Sequence, residues 1–318
     1  MNEAATTGVL DVGCFSARLT VVQHGDTRLR PVLSHKTRLH LDRALDLAGR
    51  LRPEGIEAIV AAVRTANRVA ARHGVSDIFP LATSSVRDAR NADEVVERVH
   101  SETGTRLGFL SGTREAQLSY VAARRWFGAS AGPLAVVDIG GGTVELAAGH
   151  GSDAQFALSL GLGAREVTRA WFGADTASAA AVARLRAHAL KRVRDALDGT
   201  EHQLRGYRTV GSSKVLRQLA RLAGTARRGS PEGELCVEDL REWIPRLAAM
   251  PATRRSELPG ISRPRARQAL AGAVVAEALL TVFGGRATIC PWSTTQGLLL
   301  TMVEQRQPEQ PGRSQSVA

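Results

Sequence analysis

The stretch VVDIGGGTVELAAGHG, residues 136–151, interrupts an apolar run with three consecutive glycines just after an aspartate. A second stretch, VLDVGCFSARLTVVQHG at residues 9–25, has the same rhythm. Apolar runs on both sides of a glycine-containing turn predict a strand, a turn and another strand in each copy. The two copies align without a gap, and the matching pairs are Asp11 with Asp138, Gly13 with Gly140, Ser16 with Thr143 and Leu19 with Leu146. The sequence therefore predicts two similar halves, each opened by the same hairpin.

Length and composition bound the class of protein. The 318 residues correspond to two domains of about 150 residues each, and an apolar fraction of 43% suffices for full cores. No run approaches the roughly 18 apolar residues of a membrane helix, and the best candidate, residues 271–285, has Glu277 in its middle and reads as a buried helix. The first residues lack a signal-peptide pattern. We therefore expect no membrane partner and a cytoplasmic location, with three free thiols, at Cys14, Cys236 and Cys290.

The formal net charge of +11 is carried mostly by arginine. Such a balance favours polyanionic partners, and the planar guanidinium suits phosphate oxygens. A genome-wide preference for arginine codons explains the same composition equally well. Nucleic acid is a rival partner, but aromatic residues make up only 4% of the chain and no nucleic-acid-binding motif is present. We therefore expect small or linear phosphate compounds rather than nucleic acid.

Periodicity places helices and strands around the two hairpins. Residues 54–74 and 113–130 have helical patterns, and residues 77–85 form a strand-like run. After Gly163 the pattern is mainly helical up to residue 302. The predicted organisation is an N-terminal domain at 1–128, a C-terminal domain at 129–303 and a disordered polar tail at 304–318.

The glycine-rich turn suits an anion. Gly140, Gly141 and Gly142 have no side chains to block a ligand, their N–H groups can approach phosphate, and glycine tolerates the positive φ that such a nest needs. Asp138 supplies a carboxylate beside them for Mg²⁺ or a metal-bound water. An ordinary glycine-rich hairpin explains one copy better, whereas two copies in register favour a phosphate clamp between the halves.

The motifs in order resemble the exopolyphosphatase and guanosine pentaphosphate phosphatase (Ppx/GppA) family, within the actin, Hsp70 and sugar-kinase superfold. The quoted segments are LDVGCFSARL (10–19), LATSSVRDARN (81–91), LSGTREAQL (110–118), VVDIGGGTVEL (136–146), LSLGLGAREVTR (158–169), TVGSSKVLRQLARL (209–222), RARQALAGAVV (265–275) and ICPWSTTQGLLL (289–300). The resemblance covers residues 8–302 and implies the short form of the family. It implies an α/β fold of two actin-like (ribonuclease H-like) domains flanking an interdomain cleft.

The resemblance also implies a reaction and its residues. The reaction is hydrolytic release of the terminal phosphate from polyphosphate or guanosine pentaphosphate, with Mg²⁺, by a homodimer. Glu115 would activate water and Arg87 would grip phosphate, although a solvated glutamate and a surface arginine are the alternative interpretations. The metal candidates are Asp11, Asp138 and Glu145. The phosphate-binding candidates are Gly13, Cys14, Ser16, Gly140, Gly141, Gly142, Thr143, Ser212, Ser213, Lys214 and Arg265. A helix N-cap is an equal interpretation of Ser212 to Lys214, and an ordinary role is an equal interpretation of Arg265.

The first loop departs from the family pattern. Where the family has Asp-x-Gly-Ser-Asn-Ser/Thr, this chain has a thiol at Cys14 and a phenyl ring at Phe15. Phenylalanine cannot donate a hydrogen bond. An alternative hypothesis is therefore a degenerate member that binds polyphosphate or a guanosine alarmone as a sensor with little turnover. A kinase of the same superfold is a weaker alternative, disfavoured by the segments around Arg87 and Glu115.

Overall fold

The computed structural model describes residues 5–26, 28–46, 48–224 and 233–305. Their strands form two sheets. The strands of the first sheet are β1 (Thr6–Val12), β2 (Ser16–Gln23), β3 (Pro31–Arg38), β4 (Ile78–Ala82) and β5 (Gly108–Phe109). The strands of the second sheet are β6 (Leu134–Ile139), β7 (Val144–Gly149), β8 (Phe156–Leu160), β9 (Arg208–Gly211), β10 (Glu234–Cys236) and β11 (Arg286–Ile289).

Helices surround both sheets. The α-helices of the described residues are α1 (Leu41–Ala44), α2 (Pro53–Arg72), α3 (Ser84–Arg87), α4 (Ala92–Thr103), α5 (Gly112–Phe127), α6 (Ala164–Trp171), α7 (Ala179–Leu197), α8 (Lys214–Gly224), α9 (Val237–Ala249), α10 (Ala252–Arg255), α11 (Ala269–Val282) and α12 (Thr294–Gln305). Short 3₁₀ helices cover Ala129–Ala131, Thr200–Leu204 and Arg263–Gln268. None of the helices in the described ranges is both long enough and apolar enough to cross a membrane.

The two sheets repeat one topology. The first has the order β3-β2-β1-β4-β5, and the second has β8-β7-β6-β9-β11 with β10 added at its edge. In each, the first three strands form an antiparallel meander, and the fourth and fifth strands run parallel to the first. The predicted α/β fold of two actin-like halves is confirmed. The hairpin copies quoted from the sequence are β1–β2 and β6–β7.

Burial explains the central elements. Strand β7 is buried along its whole length, as expected for a strand covered on both faces. Helix α11 is apolar all round and almost wholly buried, which confirms the predicted buried helix. Its one acidic residue, Glu277, is 8% exposed and accepts a hydrogen bond of 2.6 Å from the Arg186 Nε atom. A buried charge is tolerated when it is paired in this way.

The last helix returns to the first half. Helix α12 packs against β1 and crosses α5, and α5 also lies against β6, β7 and β8. The crossing requires Gly297, because a Cβ atom there would lie 1.9 Å from the Leu118 carbonyl oxygen. The boundary at 128/129 stays a prediction, and the structure adds that residues 294–305 pack on the first sheet. Residues 304 and 305, which the sequence assigned to a disordered tail, end α12, whereas 306–318 lie outside the described residues.

The sequence analysis did not predict five strands, which are β3, β5, β9, β10 and β11. Strand β5 has only two residues. Strand β3 is a half-exposed edge strand with mixed polar residues, so its alternation is weak. Strands β9, β10 and β11 have three or four residues each, too few for periodicity to separate them from the helical segments around them. The first of these matters for function, because β9 delivers the segment Ser212–Lys214 to the cleft.

Candidate functional site

A cleft of about 210 Å³ lies where loops from the two halves meet. Asp11 lines it from the end of β1, and Asp138 lines it from the end of β6. The predicted meeting of the two Asp-Gly bends across an interdomain cleft is confirmed. The predicted site residues that line the cleft are Asp11, Gly13, Cys14, Glu115, Asp138, Gly140, Gly141, Thr143, Glu145, Ser212, Ser213, Lys214 and Arg265.

Three predicted residues do not line the cleft. Arg87 stands behind Glu115 and contacts it. Ser16 begins β2, and its carbonyl oxygen accepts a 3.0 Å hydrogen bond from the Gly13 N–H group. Gly142 faces a neighbouring cavity of about 540 Å³, where it lies beside Ser84. That cavity is larger than the cleft, but the cleft carries the chemistry because it gathers the carboxylates, the lysine and the free amides.

The two hairpin turns have one hydrogen-bond pattern. The Gly140 N–H group donates to the Thr143 carbonyl oxygen at 2.9 Å, as that of Gly13 does to Ser16 in the first copy. In the second copy, the carbonyl oxygens of residues 140–142 accept hydrogen bonds from the amides of residues 163–166, at the start of α6. The loop carbonyls thus satisfy the otherwise unpaired donors of that helix.

Three N–H groups of the second turn are unpaired in the described part of the chain. Among the described residues, no acceptor pairs with the N–H groups of Gly141, Gly142 or Thr143. Free N–H groups on a tight turn can bind an anion. The prediction that the glycines of this turn have a positive φ angle is wrong. Backbone in the left-handed region is absent from all three, Gly140, Gly141 and Gly142, and also from Gly13 of the first turn. Close approach requires glycine instead, since a Cβ atom on Gly140 would lie 3.0 Å from the Thr143 carbonyl oxygen.

Glu115 points into the cleft from the first turn of α5. The Ser111 hydroxyl caps this helix by accepting a 3.1 Å hydrogen bond from the Arg114 N–H group. The Glu115 carboxylate accepts a hydrogen bond from Arg87, whose Nη1 also donates to the Leu110 carbonyl oxygen at 3.0 Å. Burial raises the pKa of Glu115 to about 7, although Arg87 opposes the shift. The alternative of a solvated carboxylate does not fit, because the side chain is 14% exposed.

Two aspartates line the cleft, one from each half. The Asp11 Oδ2 atom accepts a 3.2 Å hydrogen bond from the Thr295 hydroxyl, while Oδ1 is buried without a partner among the described groups. The Asp138 Oδ2 atom accepts a 2.8 Å hydrogen bond from the Ser212 hydroxyl. Burial raises the pKa of both carboxyls. A buried, underpartnered carboxylate beside a second one favours a bound cation or proton.

Glu145 adds a third carboxylate from β7. It is 4% exposed and accepts a 3.0 Å hydrogen bond from the Ser159 hydroxyl. Burial, with the nearby charges of Asp138 and Glu115, raises the pKa of Glu145 to about 8. These carboxylates therefore repel one another whenever they are ionised together.

The carboxylates of the cleft could supply some, but not all, of the ligands of a Mg²⁺ ion. Within the described ranges, no three His, Cys, Asp or Glu side chains converge as a ready ligand cluster. Mg²⁺ is usually held by one or two carboxylates together with waters and substrate phosphates, not by an all-protein cage. The unpaired Asp11 Oδ1 atom and the neighbouring carboxylate of Asp138 match that pattern.

Basic side chains line the cleft together with these carboxylates. Lys214, at the N-terminus of α8, lies close enough to Asp11 to lower the pKa of that carboxyl, while burial and Arg265 lower the pKa of the lysine itself. Arg217 also lines the cleft, and its Nη2 donates to the Pro291 carbonyl oxygen at 3.0 Å. Burial lowers the pKa of Arg217.

Some lining residues were missed from the sequence. They are Phe15, Thr83, Ser84, Ser85, Arg217, Gln268, Ser293, Thr294 and Thr295. Most belong to the quoted motifs, so their signal was present, but the motifs do not say which side chains face the cleft. Arg217 lies one helical turn after Ser213, which is the signal that places both on one face of α8. None of the eight histidines lines the cleft.

Comparison with known proteins places the chain. The family model for the Ppx/GppA phosphatase family matches residues 20–306. Exopolyphosphatase 1 of Mycobacterium leprae is 38% identical over 302 residues, 93% of this chain and 89% of that protein. The fold and the cleft define a two-lobed α/β protein of the actin type. The chain belongs to the Ppx/GppA phosphatase family.

Solved structures agree on the fold. The Ppx/GppA family member of Aquifex aeolicus matches with a TM-score of 0.77 at 23% identity, covering 96% of this chain and 100% of that one. An exopolyphosphatase of Cytophaga hutchinsonii matches with a TM-score of 0.83 at 18% identity, covering 95% of this chain and 99% of that one. At these identities the likeness concerns the fold.

Proposed function

We propose that the chain is an exopolyphosphatase, which hydrolyses the terminal phosphoanhydride bond of inorganic polyphosphate, with guanosine pentaphosphate as a second substrate. The observation that carries the proposal is the convergence, in one cleft, of unpaired backbone amides, Lys214, Arg265 and the largely buried carboxylate of Glu115. Family membership and the name of the mycobacterial relative support the same reaction.

Binding of the substrate falls to the amides and the cations. The N–H groups of Gly141 and Thr143, which line the cleft, would donate to the terminal phosphate, whose charge Lys214 partly neutralises. Arg265 would hold the next phosphates along the chain, because a guanidinium presents several N–H groups in one plane. Ser213 lines the same wall, and its hydroxyl caps α8 by accepting a 3.0 Å hydrogen bond from the Leu216 N–H group, which leaves its proton to donate to phosphate.

Water activation falls to Glu115. A general base works best with a pKa near the working pH, and that of Glu115 is raised to about 7. Arg87 fixes the carboxylate, so it acts on the base rather than gripping phosphate as the resemblance implied. The ionised carboxylate would accept a proton from a water aligned with the scissile bond.

Asp11 and Asp138, assisted by Glu145, would hold a divalent cation. When bound, Mg²⁺ neutralises phosphate charge and lowers the pKa of bound water. The protein's own contribution is to bring these carboxylates into one cleft and to leave Asp11 Oδ1 without a competing hydrogen bond.

The altered first loop does not remove the phosphate site. Among the described groups, the N–H groups of Cys14 and Phe15 donate to no acceptor, so backbone donors remain where the family's serine and asparagine side chains are missing. Catalysis is therefore favoured over the sensor hypothesis. The homodimer and the cytoplasmic location implied by the resemblance stay predictions, and light scattering of the purified protein tests the first.

The test is release of inorganic phosphate from polyphosphate and from guanosine pentaphosphate with Mg²⁺. Glu115→Gln should lower kcat by about 10²- to 10⁴-fold, the usual contribution of a general base. Glu242→Gln is the matched control, because Glu242 also pairs with an arginine, Arg246, but on the exposed surface of α9. Tight polyphosphate binding without release by the unsubstituted protein would favour the sensor hypothesis instead.

A further inference from the structure

Phe15 occupies an unusual place in the first phosphate loop. Its backbone is fixed, because its carbonyl oxygen accepts a 2.8 Å hydrogen bond from the Leu39 N–H group, and that of Cys14 accepts one of 2.9 Å from Leu41. The ring lines the cleft. The Arg265 guanidinium carbon lies 4.6 Å from the ring centroid, which is within the range of a cation–π interaction.

Arg265 lacks any other directional partner in the described part of the chain. Its guanidinium donates no hydrogen bond there and forms no ion pair, although the side chain is half-buried. Lys214 and Lys36 are near enough that Arg265 lowers the pKa of both, so the nearest cations repel it. The carboxylate of Asp42 attracts it, but no hydrogen bond or ion pair joins the two side chains in the described ranges.

The geometry of a guanidinium decides what such a partner does. A carboxylate would bind the N–H groups at the edge of the plane and remove them from a phosphate. An aromatic ring attracts the flat face and leaves the edge donors free. A ring is therefore suited to holding an arginine that must donate its hydrogen bonds to a ligand.

We propose that Phe15 is a positioning residue that holds Arg265 in the cleft through its ring face, with the guanidinium edge available to the polyphosphate chain. The inference rests on the proposed function. It gives the phenyl ring, which stands where the family has asparagine, a binding role through Arg265: the loop loses a side-chain hydrogen bond to phosphate and gains an oriented arginine.

The test compares Phe15→Leu with Phe15→Tyr in polyphosphate hydrolysis. Leucine keeps apolar volume but has no π-system, so KM should rise about tenfold, with a much smaller change in kcat. Tyrosine keeps the ring and should hold KM within about threefold of the unsubstituted protein. Phe127→Leu is the matched control, because Arg208 stacks on Phe127 at 4.3 Å outside the cleft.

A double-mutant cycle isolates the pair. In an Arg265→Met background, Phe15→Leu should have almost no further effect on KM, because the cation is already gone. A tenfold rise in that background, or a Phe15→Leu variant with unchanged KM, would overturn the proposal. If the unsubstituted protein releases no phosphate, the proposed function fails separately, and the same variants are then compared by calorimetric Kd for polyphosphate, with the same fold-changes expected.

Discussion

At the scale of single residues, the site depends on opposed influences on Glu115. Burial raises the pKa of its carboxyl, and the contact with Arg87 offsets part of that effect. Asp11 and Asp138 push in the direction of burial, because a second negative charge nearby disfavours ionisation. The balance leaves a group that changes protonation near pH 7, as a general base requires.

A pH profile tests this balance. Because the base must be ionised, kcat/KM for polyphosphate should fall on the acid side with a midpoint near pH 7. Arg87→Gln removes the influence that lowers the pKa, so the acid limb should move to higher pH and the rate at pH 7 should fall. Arg246→Gln, which breaks an exposed pair with Glu242, should leave the limb in place. A limb that does not move in Arg87→Gln would contradict the assignment.

At the scale of elements, the glycine turn at residues 140–143 contacts both helix α6 and the cleft. The carbonyl oxygens of residues 140–142 cap α6, and Gly141 and Thr143, whose N–H groups are unpaired among the described residues, line the cleft. Gly163 makes the contact close, since a Cβ atom there would lie 2.3 Å from the Gly142 carbonyl carbon and 2.4 Å from the Thr143 nitrogen. The position of the phosphate-binding amides therefore depends on a glycine outside the turn.

Gly163→Ala should displace the turn. Overpacking of this kind costs about 1–3 kcal/mol, and the loss should appear both as a lower Tm and as a fall of at least about tenfold in kcat/KM. Gly161→Ala is the matched control, because a Cβ atom at Gly161 meets nothing within 4 Å. Thermal melts and phosphate-release assays measure the two effects, and equal behaviour of the two variants would refute the argument.

At the scale of the whole molecule, the cleft is an electrostatic compromise between the halves. The first half supplies Asp11 and Glu115, and the second supplies Asp138 and Glu145. The halves are held together by contacts such as the hydrogen bond from Arg165 to the Ser85 hydroxyl. They are also joined by α5, which packs on the second sheet and against α12, while α12 packs on β1 of the first sheet. Packing buries these carboxyls and brings like charges together, and both effects, burial first, raise the pKa values of Glu115 and Glu145.

The stability of the folded protein should depend on pH through the buried carboxyls of the cleft. The folded-state pKa values of Glu115 and Glu145 lie above the ordinary value of 4.5, so their stabilising contribution is complete below that pH and is lost as pH rises through about 7 to 8. With a chelator present, Tm should therefore be higher near pH 6 than near pH 8.5, by about 2–4 °C for each 1 kcal/mol.

A variant and a cation separate this cluster from the rest of the protein. Glu145→Gln should flatten the dependence of Tm on pH, whereas Glu242→Gln should preserve it. Added Mg²⁺ should raise Tm more near pH 8.5 than near pH 6, because ionised carboxylates bind it better. An unchanged pH dependence in Glu145→Gln would show that other groups control the stability.

The sequence by itself determined the local features. The repeated hairpins, the glycine turn after Asp138, the buried helix around Glu277 and the motif order follow from short-range patterns, and they sufficed for the two-lobed fold and most of the cleft. Strands β9, β10 and β11 did not follow, because elements of three or four residues carry too little periodicity.

The tertiary structure decided which groups act on one another. Arg87 reaches Glu115 instead of the cleft, Thr295 meets Asp11 across 284 positions of sequence, and Phe15 meets Arg265. Burial and proximity set the pKa values and the free amides, and both depend on how distant segments pack. No pattern within one segment contains that information, because the energies come from groups that the chain brings together only when it folds.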